Sequence, residues 1–264
     1  MAKTSRKKNP EARMRLTEHL VELRKRLMIS ALAIIVAATA GWLLADSVWD
    51  LLRVPISEVA AADGRLASIA YTDVTGAFDL KLRISIFLAI FIGSPIWLYQ
   101  IWAFFSPGLT RKEKLGAVAF LAAAVPLFLG GAIVAWYLLP NIVRLLTSFG
   151  SAEDALLLDA RTYLNFATRL MFAVGIGFVL PVFIVLLNFV GVLSAATILR
   201  SWRVAVLIIA VFAAMTTPAA DISSMLLLGG AMCVLYFLAA GICYLHDRRK
   251  HKKLAAELAE YELS

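Results

Sequence analysis

The stretch T-T-P-A-A-D, Thr216 to Asp221, decides how the chain is counted. It interrupts an apolar region from Val204 to His246, which is about twice the ~20 residues that a helix needs to cross a bilayer. A proline beside an acid is poorly suited to a lipid-exposed helix, because a freed carbonyl and a carboxylate would both lack water there. The region therefore reads as two short spans meeting at an aqueous turn. Four uncharged runs precede it, Leu27 to Ala45, Ile84 to Thr110, Leu115 to Val143 and Leu170 to Leu199. The count is six, and an even count returns the C-terminus to the side of the N-terminus.

Composition supports a chain that lives in lipid. Of 264 residues, 61% are hydrophobic and 17% charged, and the mean hydropathy is +0.83. These values fit one polytopic membrane domain, 1–264, rather than a soluble fold. The net charge of +8 does not mark a nucleic-acid partner, since the charges lie between apolar runs instead of along one soluble face.

Those charges set an orientation. With the N-terminus cytoplasmic, the inside segments hold 19 of the 26 Lys and Arg residues, against seven outside, the bias that the positive-inside rule demands. The expected architecture is thus an all-α integral membrane protein of six transmembrane helices. It has a cytoplasmic amphipathic segment (1–26), a six-helix core (27–246) and a cytoplasmic tail (247–264). No cleavable signal peptide is evident, and the first apolar run stays as an anchor. Cys233 and Cys243 lie nearly three helical turns apart, too far to pair.

Prolines recur inside the runs at Pro95, Pro126, Pro140 and Pro181, each removing a backbone donor, so kinked helices enclosing a concave face are expected. Asp46 to Thr75 reads as an outside segment of short amphipathic pieces, with Pro55 as a breaker. Arg144 to Arg169 reads as a second outside segment.

Several chemistries find no support. There is no phosphate-binding glycine loop, no dinucleotide fingerprint, and no C-x-x-C or H-E-x-x-H, so no metal, cofactor or enzymatic activity is expected. The centres of the runs carry no ionisable residue, only Asn188, and Gln100 near an end, which argues against a proton relay. No internal repeat of the inverted-transporter kind is visible.

What remains is a polar inner face. In L-T-E-H-L-V-E-L-R-K-R-L, Leu16 to Leu27, the stripe Leu16, Leu20, Leu23 and Leu27 makes an amphipathic helix that runs into the first span, with Glu22 spaced to pair with Arg26. In W-A-F-F-S-P-G-L-T-R-K-E-K, Trp102 to Lys114, Arg111, Lys112 and Lys114 place the loop inside, and Glu113 does not serve that task. A carboxylate held ionised by neighbouring cations at a membrane face accepts a bidentate guanidinium. Phe104 offers an apolar surface beside it. A small-solute transporter or channel and a passive scaffold remain open on these residues alone.

The first of these motifs, together with S-P-I-W-L-Y-Q-I-W-A-F-F-S-P-G-L-T-R-K-E-K (Ser94 to Lys114), G-F-V-L-P (Gly177 to Pro181) and T-T-P-A-A-D, resembles the signatures of TatC, the multispanning subunit of the twin-arginine protein translocase. The resemblance runs from Leu16 to about Lys250. It implies a cupped six-helix bundle that binds the twin-arginine signal peptides of folded cargo. The family gathers single-span TatA- and TatB-type partners, works as an oligomeric complex in the cell membrane, and uses the protonmotive force. Carried over by position, the signal-peptide residues are His19, Glu22 and Arg24 in the first motif, and Phe104, Pro107 and Glu113 in the second. Asp221 and Pro181 correspond to structural or coupling positions. Many relatives carry a membrane glutamate where this chain has Val179, so apolar packing is expected there.

Overall fold

The computed structural model describes residues 16–63, 67–71, 73–105, 111–148, 156–217 and 221–262. Helix α1 (Leu16–Asp63) is continuous over 48 residues. Pro55 was expected to divide the segment after Asp46 into short pieces, but it lies inside α1 with its ring buried. The Tyr163 hydroxyl donates to the Leu52 carbonyl at 2.7 Å, and Leu52 and Ile56 on either side are core residues. Tertiary packing therefore outweighs the local penalty of a helical proline.

The second run is broken. Helix α2 (Gly76–Ile92) and helix α3 (Ser94–Phe105) meet at Gly93 with a bend of 54°. Pro95 accounts for the break, because it brings no N–H to the ladder and its ring crowds the carbonyl four residues earlier, while the first turn of α3 tolerates it. The Trp97 indole N–H donates to the Ile90 carbonyl at 2.9 Å, supplying a donor where the helical ladder is interrupted.

Helix α4 (Arg111–Thr147) keeps Pro126 and Pro140 within its length, and helix α5 (Ala160–Phe189) keeps Pro181. The short helix α6 (Ala195–Arg200), helix α7 (Trp202–Thr216) and helix α8 (Ile222–Glu262) follow. Two strands stand apart from the all-α expectation. β1 (Ala67–Ala70) and β2 (Leu156–Asp159) pair in parallel, so the two long connections satisfy some of their backbone groups on each other.

Packing fixes the direction of each pass. Asp46 meets Lys81, Gly41 meets Ser85, Arg26 meets Gln100 and His19 meets Phe104, so α1 runs antiparallel to α2 and α3. Phe120 meets Phe183 and Phe128 meets Phe172, so α4 runs antiparallel to α5. Ala213 meets Gly229, while Tyr236 donates to the carbonyl of Ile198 just ahead of α7, so α7 and α8 are antiparallel too. The start of α1 and the later part of α8 consequently share one end of the bundle, called here the near end. The β1–β2 pair marks the far end.

Two of these crossings depend on glycine. A Cβ on Gly41 would stand 2.4 Å from the Ser85 carbonyl oxygen, and one on Gly131 would stand 2.8 Å from the Val174 carbonyl oxygen. Missing side chains let the backbones approach, which drives helix association where lipid removes the hydrophobic term. Around them Phe128, fully buried, stacks on Phe91 at 4.7 Å and meets Trp97 edge-on at 5.3 Å. Val179 is buried in the same aromatic cluster, in accord with apolar packing at that position.

Among the described residues four helices are long and apolar enough to cross a membrane, and a fifth crossing forms if α2 and α3 act as one span. The region split at T-T-P-A-A-D does form two helices, α7 ending at Thr216 and α8 beginning at Ile222, but their lengths are unequal. Helix α7 is short at 15 residues, roughly 22 Å against a hydrocarbon core of about 30 Å. Helix α8 is long at 41 residues and carries the tail to Glu262 without a break. The fourth run also ends early, because α5 stops at Phe189 and Gly191 turns the chain at φ 85° before α6.

Candidate functional site

The near end gathers polar groups on one face of α1. His19, Glu22, Arg26 and Ser30 recur at three- and four-residue spacing and are the partly buried positions there, while Leu20, Leu23 and Leu27 are exposed. The apolar stripe therefore looks away from the bundle, and the polar stripe lies against α3. The His19 ring stacks on Phe104 with centroids 4.3 Å apart and planes inclined by 21°. One turn further along, Arg26 Nε donates to Glu22 Oε1 at 3.1 Å, Nη2 donates to the same oxygen, and Nη1 reaches Gln100 Oε1 at 3.4 Å.

Glu22 is thus half satisfied. Its side chain is 22% exposed, and its second oxygen, Oε2, is shielded from solvent with no hydrogen-bond partner among the described residues. A shielded carboxylate oxygen is costly to leave unmade, so it favours an incoming charged donor. Arg26 already neutralises the group and holds it in a fixed rotamer through two bonds.

Of the six residues expected to form one binding face, the structure joins His19, Glu22 and Phe104. Arg24 is exposed on the other side of α1 and does not join them. Glu113 belongs to the first turn of α4, and its side chain lies outside the described residues, as does the whole of Pro107. Gln100 is the member that sequence reasoning noted without placing. It is the single amide in the apolar stretch Ser94–Phe105 and stands four residues before Phe104, hence on the same face of α3.

A groove of about 620 Å³ lies between α3, α4, α5 and α8, lined by apolar side chains including Trp102, Phe120, Pro181, Leu186, Phe189 and Leu235. Pro181 is buried within the continuous α5 and contributes to the lining. Among the described residues no cluster of His, Cys, Asp or Glu has the arrangement of a metal site.

The other predicted acid stands at the far end. Asp221 is 5% exposed, and its Oδ1 accepts the Ser224 backbone N–H and the Ser223 hydroxyl, each at 3.0 Å. That geometry caps the start of α8. Burial opposes its ionisation, but the hydrogen bonds from Ser224 and Ser223 prevail and hold the carboxyl below the ordinary carboxylate range.

Comparison with known proteins points one way. Residues 18–230 match the family model described as Sec-independent protein translocase protein (TatC). The chain is 44% identical to the Sec-independent protein translocase protein TatC of Xylanimonas cellulosilytica over 247 residues, covering 94% of this chain and 90% of that one. It is 36% identical to the protein of that name from Rothia mucilaginosa over 252 residues, covering 95% and 86%. A crystal structure described as the twin-arginine translocase receptor TatC superposes with a TM-score of 0.70 at 27% identity, covering 85% of this chain and 99% of that one.

Proposed function

The chain belongs to the TatC family of Sec-independent protein translocase proteins, and from that premise we propose that it is the receptor for twin-arginine signal peptides. The observation that carries the reading is the stacking of His19 on Phe104. It brings the two motifs, 85 positions apart in the chain, into one face, beside a carboxylate with an unused oxygen.

In this reading the near end is cytoplasmic and the chain makes six crossings of the cell membrane. The basic clusters fall at that end, and the alternating passes bring the start of α1 and the end of α8 to it. One arginine of the signal forks onto Glu22 Oε2, where Arg26 and Gln100 keep the carboxylate oriented. The other meets Glu113 at the start of α4. Guanidinium is the fitting donor because its planar pairs of N–H groups match a carboxylate, whereas an ammonium is a single point charge with a larger hydration penalty. Phe104 supplies an apolar surface for the hydrophobic part of the signal.

Recognition then precedes assembly with single-span TatA- and TatB-type subunits and with further copies of this chain, for transport driven by the protonmotive force. Exposed apolar faces, such as Leu207, Ile208 and Val211 on α7, supply surface for lipid or for those helices. Binding of the purified protein to an immobilised twin-arginine signal peptide, against a peptide with Lys-Lys in its place, tests the reading. Retention of the first and loss of the second supports it, and equal retention overturns it.

A further inference from the structure

A second cavity opens toward the far end, between the outer half of α5 and the end of α7. It has a volume of about 450 Å³ and is lined by the polar residues Thr162, Asn165, Arg169 and Thr216 together with apolar ones that include Phe166 and Met215. Thr162, Asn165 or Phe166, Arg169 and Ala173 follow one another at helical spacing, so α5 presents them as one stripe.

Arg169 is the unusual member. Cations of the far end elsewhere close on carboxylates: Arg161 on Asp73 and Asp79, Arg83 on Asp79, Lys81 on Asp46. Arg169 has no ion pair or hydrogen bond among the described residues. Its level is also defined by the sequence. The next 20 residues of α5, Leu170 to Phe189, carry no charge and extend for ~30 Å, the thickness of the hydrocarbon core. Arg169 therefore stands at the boundary where hydrocarbon gives way to headgroups. Arg169 is exposed, so at this depth its guanidinium reaches the anionic headgroup layer.

We propose that this cavity is a phosphate-binding site that holds the headgroup of an anionic phospholipid from the leaflet at the far end. The guanidinium of Arg169 takes the phosphodiester oxygens in a forked contact, and the Asn165 amide adds a donor. Phe166 and Met215 receive the start of an acyl chain. A lining that mixes polar and apolar side chains suits a phospholipid better than a free ion. A lipid seated here would brace α7 against α5, where α7 is too short to reach across the core by itself. The site is separate from the His19–Phe104 face, and its test does not depend on signal-peptide binding.

The test uses delipidated, full-length protein in detergent, titrated with phosphatidylglycerol and read by native mass spectrometry. The wild-type protein is expected to retain one lipid more tightly than the Arg169→Gln variant, by at least about tenfold, the loss of one charge-assisted contact. Arg169→Lys, which keeps the charge without the fork, is expected to fall between them, and helical circular dichroism identifies a variant that has failed to fold. A parallel arm adds inorganic phosphate. No displacement of the tight lipid by millimolar phosphate supports the lipid as occupant. Phosphate that binds wild type above Arg169→Gln while phosphatidylglycerol does not discriminate them overturns the lipid assignment. Equal binding of both ligands by wild type and Arg169→Gln overturns the site.

Discussion

At the far end of the bundle, charged groups close on one another across long stretches of chain. Arg161 bridges Asp73 and Asp79, Lys81 holds Asp46 at 2.6 Å, and Tyr163 ties α5 to the Leu52 carbonyl. Together with the β1–β2 pair, these contacts fasten both outer connections to α1, α2 and α5. At the near end, among the described residues, a ring stack and an amide contact join α1 to α3, and beside them the Glu22 carboxylate has an oxygen to spare. The near end is tied as well where Asp247 accepts from Asn188 at 3.2 Å and from the Ala195 backbone N–H at 2.8 Å, so the contrast is between the braced far end and the α1–α3 seam, where Glu22 keeps an oxygen free for a donor from outside.

The comparison can be broken by exchanging the behaviours of the two ends. The largest effect is expected from Glu113→Ala or Glu113→Gln, which should reduce crosslinking of a twin-arginine signal peptide to background while the protein still inserts. Wild-type crosslinking yield would contradict the account. Glu22→Gln keeps the shape but removes the charge, and peptide affinity should drop about tenfold, in line with one lost hydrogen bond between charged groups. Thermal unfolding should barely move, since the Glu22–Arg26 pair lies within one helix.

The far end should show the opposite pattern. Arg161→Ala releases two partly exposed ion pairs, so unfolding should become only slightly easier, with unchanged peptide affinity. A change in affinity that matched Glu22→Gln would erase the distinction between the ends. The smallest effect concerns acid. The Asp221 carboxyl titrates below its ordinary 3.8 in the folded protein, so its charged form adds stability above that value, and the contribution is lost as pH falls through the folded-state value. Asp221→Asn should therefore lose less stability than wild type between pH 5 and pH 3 in a denaturation series.

Much of this was legible in the chain itself. Uncharged runs located the apolar helices, because hydrocarbon tolerates little else, and Pro95 marked the bend between α2 and α3. Pairing of Glu22 with Arg26 followed from four-residue spacing. Pro55 misled, because a local rule about prolines cannot register that Leu52, Ile56 and Tyr163 would enclose it. The strands escaped notice for a similar reason: four-residue segments carry little periodic signal, and β1 exists only because β2, some 90 positions later, comes alongside. Gln100 was visible as a lone amide, but its meeting with Arg26 depends on the antiparallel register of α1 against α3. Arg24 shows the converse, as a residue near Glu22 in sequence that the helix turns to another side.

The central claim is that the His19–Glu22–Phe104 face receives paired arginines. It is tested most directly by measuring the affinity of the purified protein for a twin-arginine signal peptide and for its Lys-Lys variant, in wild type and in Glu22→Gln. The account predicts that wild type discriminates between the two peptides and that Glu22→Gln loses much of that discrimination. Discrimination that survives Glu22→Gln at full strength would contradict it.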